Sequence, residues 1–402
     1  VITAVNAFGA MHGLETLSQL IEFDFDSLTY VIRNAPWVIN DAPRFPHRGI
    51  LMDTSRHYES LPSIKRLIDS MTYAKLNVLH WHLTDSQSNP TQSETFPKWW
   101  EGSYTPMERY SIMDLEEIVE YARMRGIRVV PELDVPGHEA SWCKGYPEVC
   151  PSETCFEPLD PTSEKTWELI QGVLDEWSGK EQGKGIFFDN YFHMGGDEVD
   201  TSCWKTTQHV VEWMKQNNFT DHDTYKYFVK KVHEMVMGNQ RNGIYWEEVW
   251  LNFGTNLDKS TIIETWMNKK TMKSVVENGY RVIISDPIMY LDHLDQTWIN
   301  IYKDEPFEFT DVPAEQELVL GGEACMWAET VDVSDLYNTV WPRAGAFAER
   351  YWSPREVNDV DAAHGRYMHF RCLLNKRGVP AAPANNERGR SAPSGPGSCY
   401  AQ

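Results

Sequence analysis

The chain has 402 residues, with 59 Asp or Glu against 37 Lys or Arg, a formal net charge of −22 at pH 7. Such an excess of carboxylates excludes a surface that holds nucleic acid or an anionic membrane through phosphate contacts. No run approaches the roughly 18 apolar residues of a membrane helix, while 41% hydrophobic residues supply a core for one large barrel-type domain or two smaller ones.

Residues 1–45 stand outside any repeat. Residues 13–21 read as one helix and their flanks as the remnant of a small α+β module, with residues 46–402 as the main unit. From Arg48 onward, near-continuous apolar runs alternate with amphipathic helical stretches. The runs are 49–53, 77–83, 127–133, 186–193, 243–247, 261–266, 281–285 and 318–321; helical patterns cover 61–75, 113–125, 163–177, 224–237 and 269–277. Apolar runs of this length suit parallel strands covered on both faces. Eight of them with intervening helices predict an α/β fold, a (β/α)8 TIM barrel. A doubly wound sheet is the alternative, but it concentrates its site at one switch point, whereas here nearly every strand end carries polar or aromatic residues.

Those strand ends are the candidate site. Asp53 and Arg56 follow the first strand, Asp85 the second, Asp134 and His138 the third, and His193-Met194-Gly195-Gly196-Asp197-Glu198 the fourth. Trp246 and Glu247, Trp266, Tyr290 and Asp292, and Trp327 and Glu329 close the remaining four. The glycine pair lets the backbone turn sharply and present two carboxylates; the competing reading makes Asp197 and Glu198 complements of a helix dipole. Carboxylates, one Arg and several Trp residues suit a neutral polyol, bound by acceptors and by stacking. Mutual repulsion and an apolar wall raise a carboxyl's pKa, keeping one carboxyl protonated as a general acid. A glycosidase follows. No phosphate loop occurs, and neither a metal nor another cofactor is expected. His80 and His82 could ligate a metal from one strand face, yet interior hydrogen bonding is the preferred reading.

Seven cysteines suggest an oxidising compartment. Cys155 with Cys203 and Cys143 with Cys150 is the preferred pairing, leaving Cys325 buried and free, although spacing leaves other connectivities open. Cys372 with Cys399 would tether the Gly/Pro/Ser-rich C-terminal tail and stabilise by about 3–4 kcal/mol. Asn218-Phe219-Thr220 is an N-glycosylation sequon. The start at Val1, with no signal-like segment, reads as a mature or trimmed form.

Longer motifs carry a family resemblance. They include residues 13–20 (GLETLSQL), Asp53-Thr54-Ser55-Arg56-His57-Tyr58, His80-Trp81-His82-Leu83-Thr84-Asp85, Pro136-Gly137-His138, Gly195-Gly196-Asp197-Glu198-Val199, residues 321–327 (GGEACMW) and Trp341-Pro342-Arg343-Ala344. Over residues 9–375 the chain resembles the glycoside hydrolase family 20 β-N-acetylhexosaminidases of the eukaryotic lysosomal and secreted type. The resemblance implies exo-hydrolysis of terminal N-acetylglucosamine or N-acetylgalactosamine by substrate-assisted retention, an exception to the two-carboxylate scheme. It makes Glu198 the acid and base, Asp197 the partner of the substrate's acetamido group and Tyr290 a donor to its oxygen. His138 with Asp85 would support Glu198. Arg56, Asp292 and Glu329 would hold ring hydroxyls, and Trp246, Trp266 and Trp327 would wall the pocket. It further implies a homodimer, a lysosomal or secreted location, and a family N-terminal module of which residues 1–45 are the last strand and helix. The family's sulfate-accepting form carries a neutral amide and Arg where this chain has Asp292-His293, which implies a preference for unsulfated sugars. A catalytically inactive sugar-binding barrel, or an ordinary two-carboxylate glycosidase using Glu247 or Glu329, are the alternatives.

Overall fold

The computed structural model describes residues 1–181 and 183–384. Helix Ala7–Gln19 is capped by Asn6, whose side chain accepts from the Gly9 N–H. An antiparallel hairpin of β1 (Glu22–Asp24) and β2 (Thr29–Val31) follows it. Residues 1–45 thus hold one helix and two short strands among the described residues. This segment is tied to the rest of the fold by polar contacts, Lys75 to Thr16 at 2.7 Å and Arg377 to Glu15 at 2.8 Å.

The main unit is a closed parallel barrel. Its strands are β3 (His47–Asp53), β4 (Val78–His82), β5 (Arg128–Glu132), β6 (Tyr191–His193), β7 (Asn242–Trp246), β8 (Ile262–Thr265), β9 (Arg281–Ile284) and β10 (Val319–Met326), with β10 pairing β3. The fourth expected strand is shortened to three residues. Asp189 accepts the Tyr191 N–H at 2.9 Å, a local turn that competes with the ladder, and Ile186 and Phe187 are buried in the preceding loop. The eighth is longer than expected because pairing with β9 slips at Gly321, and the strand then continues against β3.

Local signals position the outer helices. Ser111 with Asp114 and Thr220 with Asp223 form capping boxes at the starts of helices Ile112–Arg123 and Asp221–Gly238. Helix Leu61–Tyr73 buries Ile64, Leu67, Ile68 and Met71 at helical spacing against the barrel.

Side-chain alternation stacks three layers inside the barrel. Val78, Val130, Ile244, Ile262 and Ile283 form an apolar floor, and Leu51, Trp246 and Cys325 form the top, packed by Trp266, Tyr290 and Trp327. Between them lies a buried polar layer of His80, Glu132, His193, Glu264 and Glu323. Burying such groups is costly unless they are paired. Here Glu323 faces His47 at 2.6 Å and His80 at 2.8 Å, which pairs part of the layer, while His80 Nε2, His193 Nε2 and Glu264 Oε2 have no hydrogen-bond partner. Gly49 makes room for it, since a Cβ there would lie 2.8 Å from the Glu323 side chain. The interior hydrogen-bonding role read for His80 and His82 is thus met.

Cys143–Cys150 and Cys155–Cys203 are disulfides, as preferred from sequence. Cys325 and Cys372 are buried without a disulfide partner among the described residues. Cys399 and the expected tether of the tail lie outside those residues. Among them, no helix is long and apolar enough to cross a membrane.

Candidate active site

The turn after β6 builds one side of the site. Gly195 and Gly196 have φ of +60° and +89°, and a Cβ on Gly195 would fall 1.7 Å from Asp134 Oδ1, so only glycine fits. Asp134 then accepts the Gly196 N–H at 2.9 Å, Tyr225 donates to the Gly196 carbonyl, and the Trp246 N–H donates to the Gly195 carbonyl at 3.0 Å. Held this way, Asp197 points inward with 13% of its side chain exposed, and Glu198 points out with 59% exposed. The dipole reading fails, because the next helix starts only at Ser202 and Asp200 accepts its first N–H.

Opposite Glu198 is a chain of charged groups. His138 lies 3.5 Å from Glu198 and 3.6 Å from Asp197 through Nε2, and 3.3 Å from Asp85 through Nδ1. Asp85 also meets His82 at 2.8 Å and Arg56 at 2.7 Å. Arg56 bonds Asp53 at 3.1 Å, approaches the half-exposed Glu329 at 3.7 Å and lies over the Trp327 ring. Burial opposes ionisation of Asp85, but its bonds to His138 and His82 and the Arg56 charge hold it well below the usual carboxylate range. Burial likewise opposes the His138 cation and is outweighed by Asp134, Asp85, Glu198 and Asp197, which hold that cation strongly.

The two turn carboxylates respond oppositely. Burial, reinforced by Asp134, pushes Asp197 well up. The hydrogen bond from His138 pulls Glu198 down. The raised carboxyl expected from sequence is therefore Asp197 and not Glu198, because the His138 cation faces the exposed member of the pair.

The wall is aromatic. Trp266 stacks on Tyr290 at 6.2 Å between centroids with planes 15° apart, Trp246 and Trp327 meet at 5.9 Å, and Tyr290 and Trp327 at 6.4 Å. Trp246 is almost fully covered, so Trp266, Tyr290 and Trp327 provide the more open surface. Asp292, 3.6 Å from His293, keeps one buried oxygen without a partner. Glu247 accepts the backbone N–H groups of Trp266 and Met267 and is fully buried, so it is already committed to holding the loop. Glu329 stands on the Arg56 side.

Two contributors escaped sequence reasoning. Glu248 accepts the Trp266 indole N–H at 2.9 Å and is pushed up to about 7 by burial and by Asp197. Glu132 accepts the Trp246 indole N–H at 2.9 Å. Their signals were present but weak: an acid two residues beyond Trp246, and an acid at the inward position after Val130 in β5. Among the described residues, four sets could geometrically hold a cation, namely His80 with Glu132 and His193, His80 with Glu264 and Glu323, His82 with Glu132 and Asp134, and Asp134 with His138 and Asp197.

This arrangement, an exposed carboxylate beside a buried one at the C-terminal mouth of the barrel with aromatic walls, suits acid–base chemistry on a sugar. Comparison with known proteins agrees. Residues 45–355 match the family described as "Glycosyl hydrolase family 20, catalytic domain". The chain is 48% identical over 406 residues to "Beta-hexosaminidase 1" of Arabidopsis thaliana, covering 100% of this chain and 74% of that protein. It is 39% identical over 400 residues to "Beta-hexosaminidase subunit alpha" of Rattus norvegicus, covering 95% and 74%. Among solved structures, the Flavobacterium johnsoniae chitobiase superposes with a TM-score of 0.82 at 31% identity, covering 92% of this chain and 57% of that one. The chain belongs to glycosyl hydrolase family 20 and is a glycoside hydrolase of the β-hexosaminidase group.

Proposed function

We propose that the protein is an exo-acting β-N-acetylhexosaminidase that removes terminal N-acetylglucosamine or N-acetylgalactosamine with retention, using the substrate's own acetamido group as nucleophile. The observation that carries this reading is the adjacency of Asp197 and Glu198 on one glycine turn, with Glu247, Asp85 and Asp53 held by other groups. Glu247 holds backbone amides, Asp85 bonds His82 and Arg56, and Asp53 holds Arg56 and two further N–H groups. An internal nucleophile removes the need for a second, spaced carboxylate.

In this reading Glu198 protonates the glycosidic oxygen as the acetamido carbonyl oxygen attacks the anomeric carbon, breaking the bond to the leaving group. Asp197, as a carboxylate, accepts a hydrogen bond from the acetamido N–H and balances the oxazolinium charge, and the Tyr290 hydroxyl donates to the acetamido oxygen. Glu198, now a carboxylate, takes a proton from water that opens the intermediate. Asp292, Arg56 and Glu329 bind ring hydroxyls, the first with its unpartnered oxygen. Trp246, Trp266 and Trp327 line the acetamido pocket. Sugar binding strips water from the exposed side of Glu198, which raises its pKa against the pull of His138 and loads the proton it must give.

The test compares aryl N-acetyl-β-glucosaminide with the plain aryl β-glucoside, with and without an N-acetyl thiazoline mimic of the intermediate. Hydrolysis of the first alone and inhibition by the mimic are expected. Comparable turnover of both sugars would refute the internal nucleophile.

The same reading extends to a homodimer and to a lysosomal or secreted location. The two disulfides support the location. So does Asn218, exposed at the end of helix Gln208–Asn217 and available as a glycan acceptor. Sedimentation and glycosidase treatment of the native protein test these points.

A further inference from the structure

Beneath the pocket, one buried side chain touches both halves of the site. Glu132 ends β5, and the ladder sets it level with His82 on β4 and His193 on β6. All three are fully buried. Glu132 Oε1 accepts the Trp246 indole N–H at 2.9 Å, and Oε2 lies 2.5 Å from His82 Nδ1. The other nitrogen of His82 lies 2.8 Å from Asp85, which meets His138, which meets Glu198. His82 thus sits between two carboxylate acceptors, and its ring satisfies both only when both nitrogens carry protons.

We infer that Glu132 is a positioning residue for the reaction, gripping the Trp246 indole with one oxygen and, through His82 and Asp85, orienting the His138 that faces Glu198 with the other. The inference rests on the roles proposed above for Glu198, His138 and Asp85. Other groups share the setting. His80 lies 3.2 Å and His193 2.8 Å from Glu132, with Glu264 and Asp134 nearby, and Asp53 faces His82. Burial disfavours a charged His82, yet Glu132 and Asp85 outweigh it and raise its pKa to about 10. The buried carboxylate of Glu132 is in turn kept ionised by His193, His82 and His80 despite burial. Loss of the Glu132 charge would release the His82 proton on Nδ1. Asp85 would keep a neutral N–H donor but lose a neighbouring cation, so its carboxyl would protonate at higher pH.

Glu132→Gln tests this directly, since it preserves shape and one acceptor. The acid limb of the kcat/KM profile should move up by about one pH unit, kcat should fall more than KM changes, and the Trp246 indole N–H resonance should shift. A folded variant whose profile parallels the wild type, with that resonance unmoved, would overturn the inference. His82→Gln offers Asp85 a neutral donor and should raise the same limb; a folded variant with a wild-type profile would also overturn it. Neutron diffraction of the unaltered protein needs no variant: protons on both His82 nitrogens are expected, and a single proton would refute the coupling. Glu198→Gln separates the layers. If its losses are equal for good and poor leaving groups the underlying reading fails, whereas losses that grow as the leaving group worsens, beside an unmoved Glu132→Gln profile, overturn the coupling alone.

Discussion

Glu198→Gln removes the acidic proton from an otherwise intact site. The amide keeps the volume of the carboxyl and leaves His138 held by Asp85 and Asp134. Glu198 is more than half exposed, so its pair with His138 belongs to the class of ion pairs worth under about 1 kcal/mol to folding. Thermal unfolding should therefore barely change. Its effect on chemistry is much larger. A positioned general acid contributes about 10²- to 10⁴-fold, which is about 3–5 kcal/mol of barrier at 1.36 kcal/mol per decade. That loss applies only where the leaving oxygen needs the proton. Turnover of an N-acetylglucosamine disaccharide should fall by the full factor, and formation of the intermediate from a dinitrophenyl N-acetyl-β-glucosaminide should fall far less. Rates for a series of leaving groups, measured with stability on the same samples, decide the matter. Equal losses across the series would refute the acid assignment.

The wall, the charges and the substrate each give a further expectation. Trp327→Ala removes a ring packed against His82, Trp246 and Tyr290, and N-acetylglucosamine binding by calorimetry should weaken by about 1–3 kcal/mol; unchanged affinity would make Trp327 mere packing. Burial pushes Asp134 up to about 6 and Glu59, Glu248 and Asp286 up to about 7. These carboxyls therefore add stability that is complete below about 4 and is lost as pH rises through 6 to 7. Depressed groups such as Asp85 lose theirs only as pH falls below about 4. Melting temperature should then be higher at pH 5 than at pH 8, and a rise across that interval would contradict the assignment. Finally, Asp292 keeps a buried oxygen without a hydrogen-bond partner, and in the proposed reading a 6-sulfate beside it would face an acceptor, not a cation. Unsulfated aryl N-acetylglucosaminide should be strongly preferred at neutral pH, and Asp292→Asn with His293→Arg should narrow the gap; comparable kcat/KM for the two substrates in the wild type would refute this.

The barrel was legible in the chain because its signals are local. Apolar runs alternate with helical spacing, and residues such as Arg56, His138, Asp197, Tyr290 and Trp327 fall just past the ends of those runs, where a barrel gathers its loops. The disulfide pairing preferred from sequence is the one the fold forms, although spacing alone left other connectivities open. Tertiary structure decided what depends on partners far along the chain. His82 meets Glu132 across 50 residues and His80 meets Glu323 across 243, so alternation could turn each acid inward but could not say what awaited it. The same holds for the protons. Glu198 and Asp197 are chemically similar neighbours, and only the fold sets one beside His138 and buries the other near Asp134, moving their pKa values in opposite directions. A short β6, cut by the Asp189 turn, reflects the same limit, because local hydrogen bonds and strand pairing compete on terms that hydrophobic pattern does not encode.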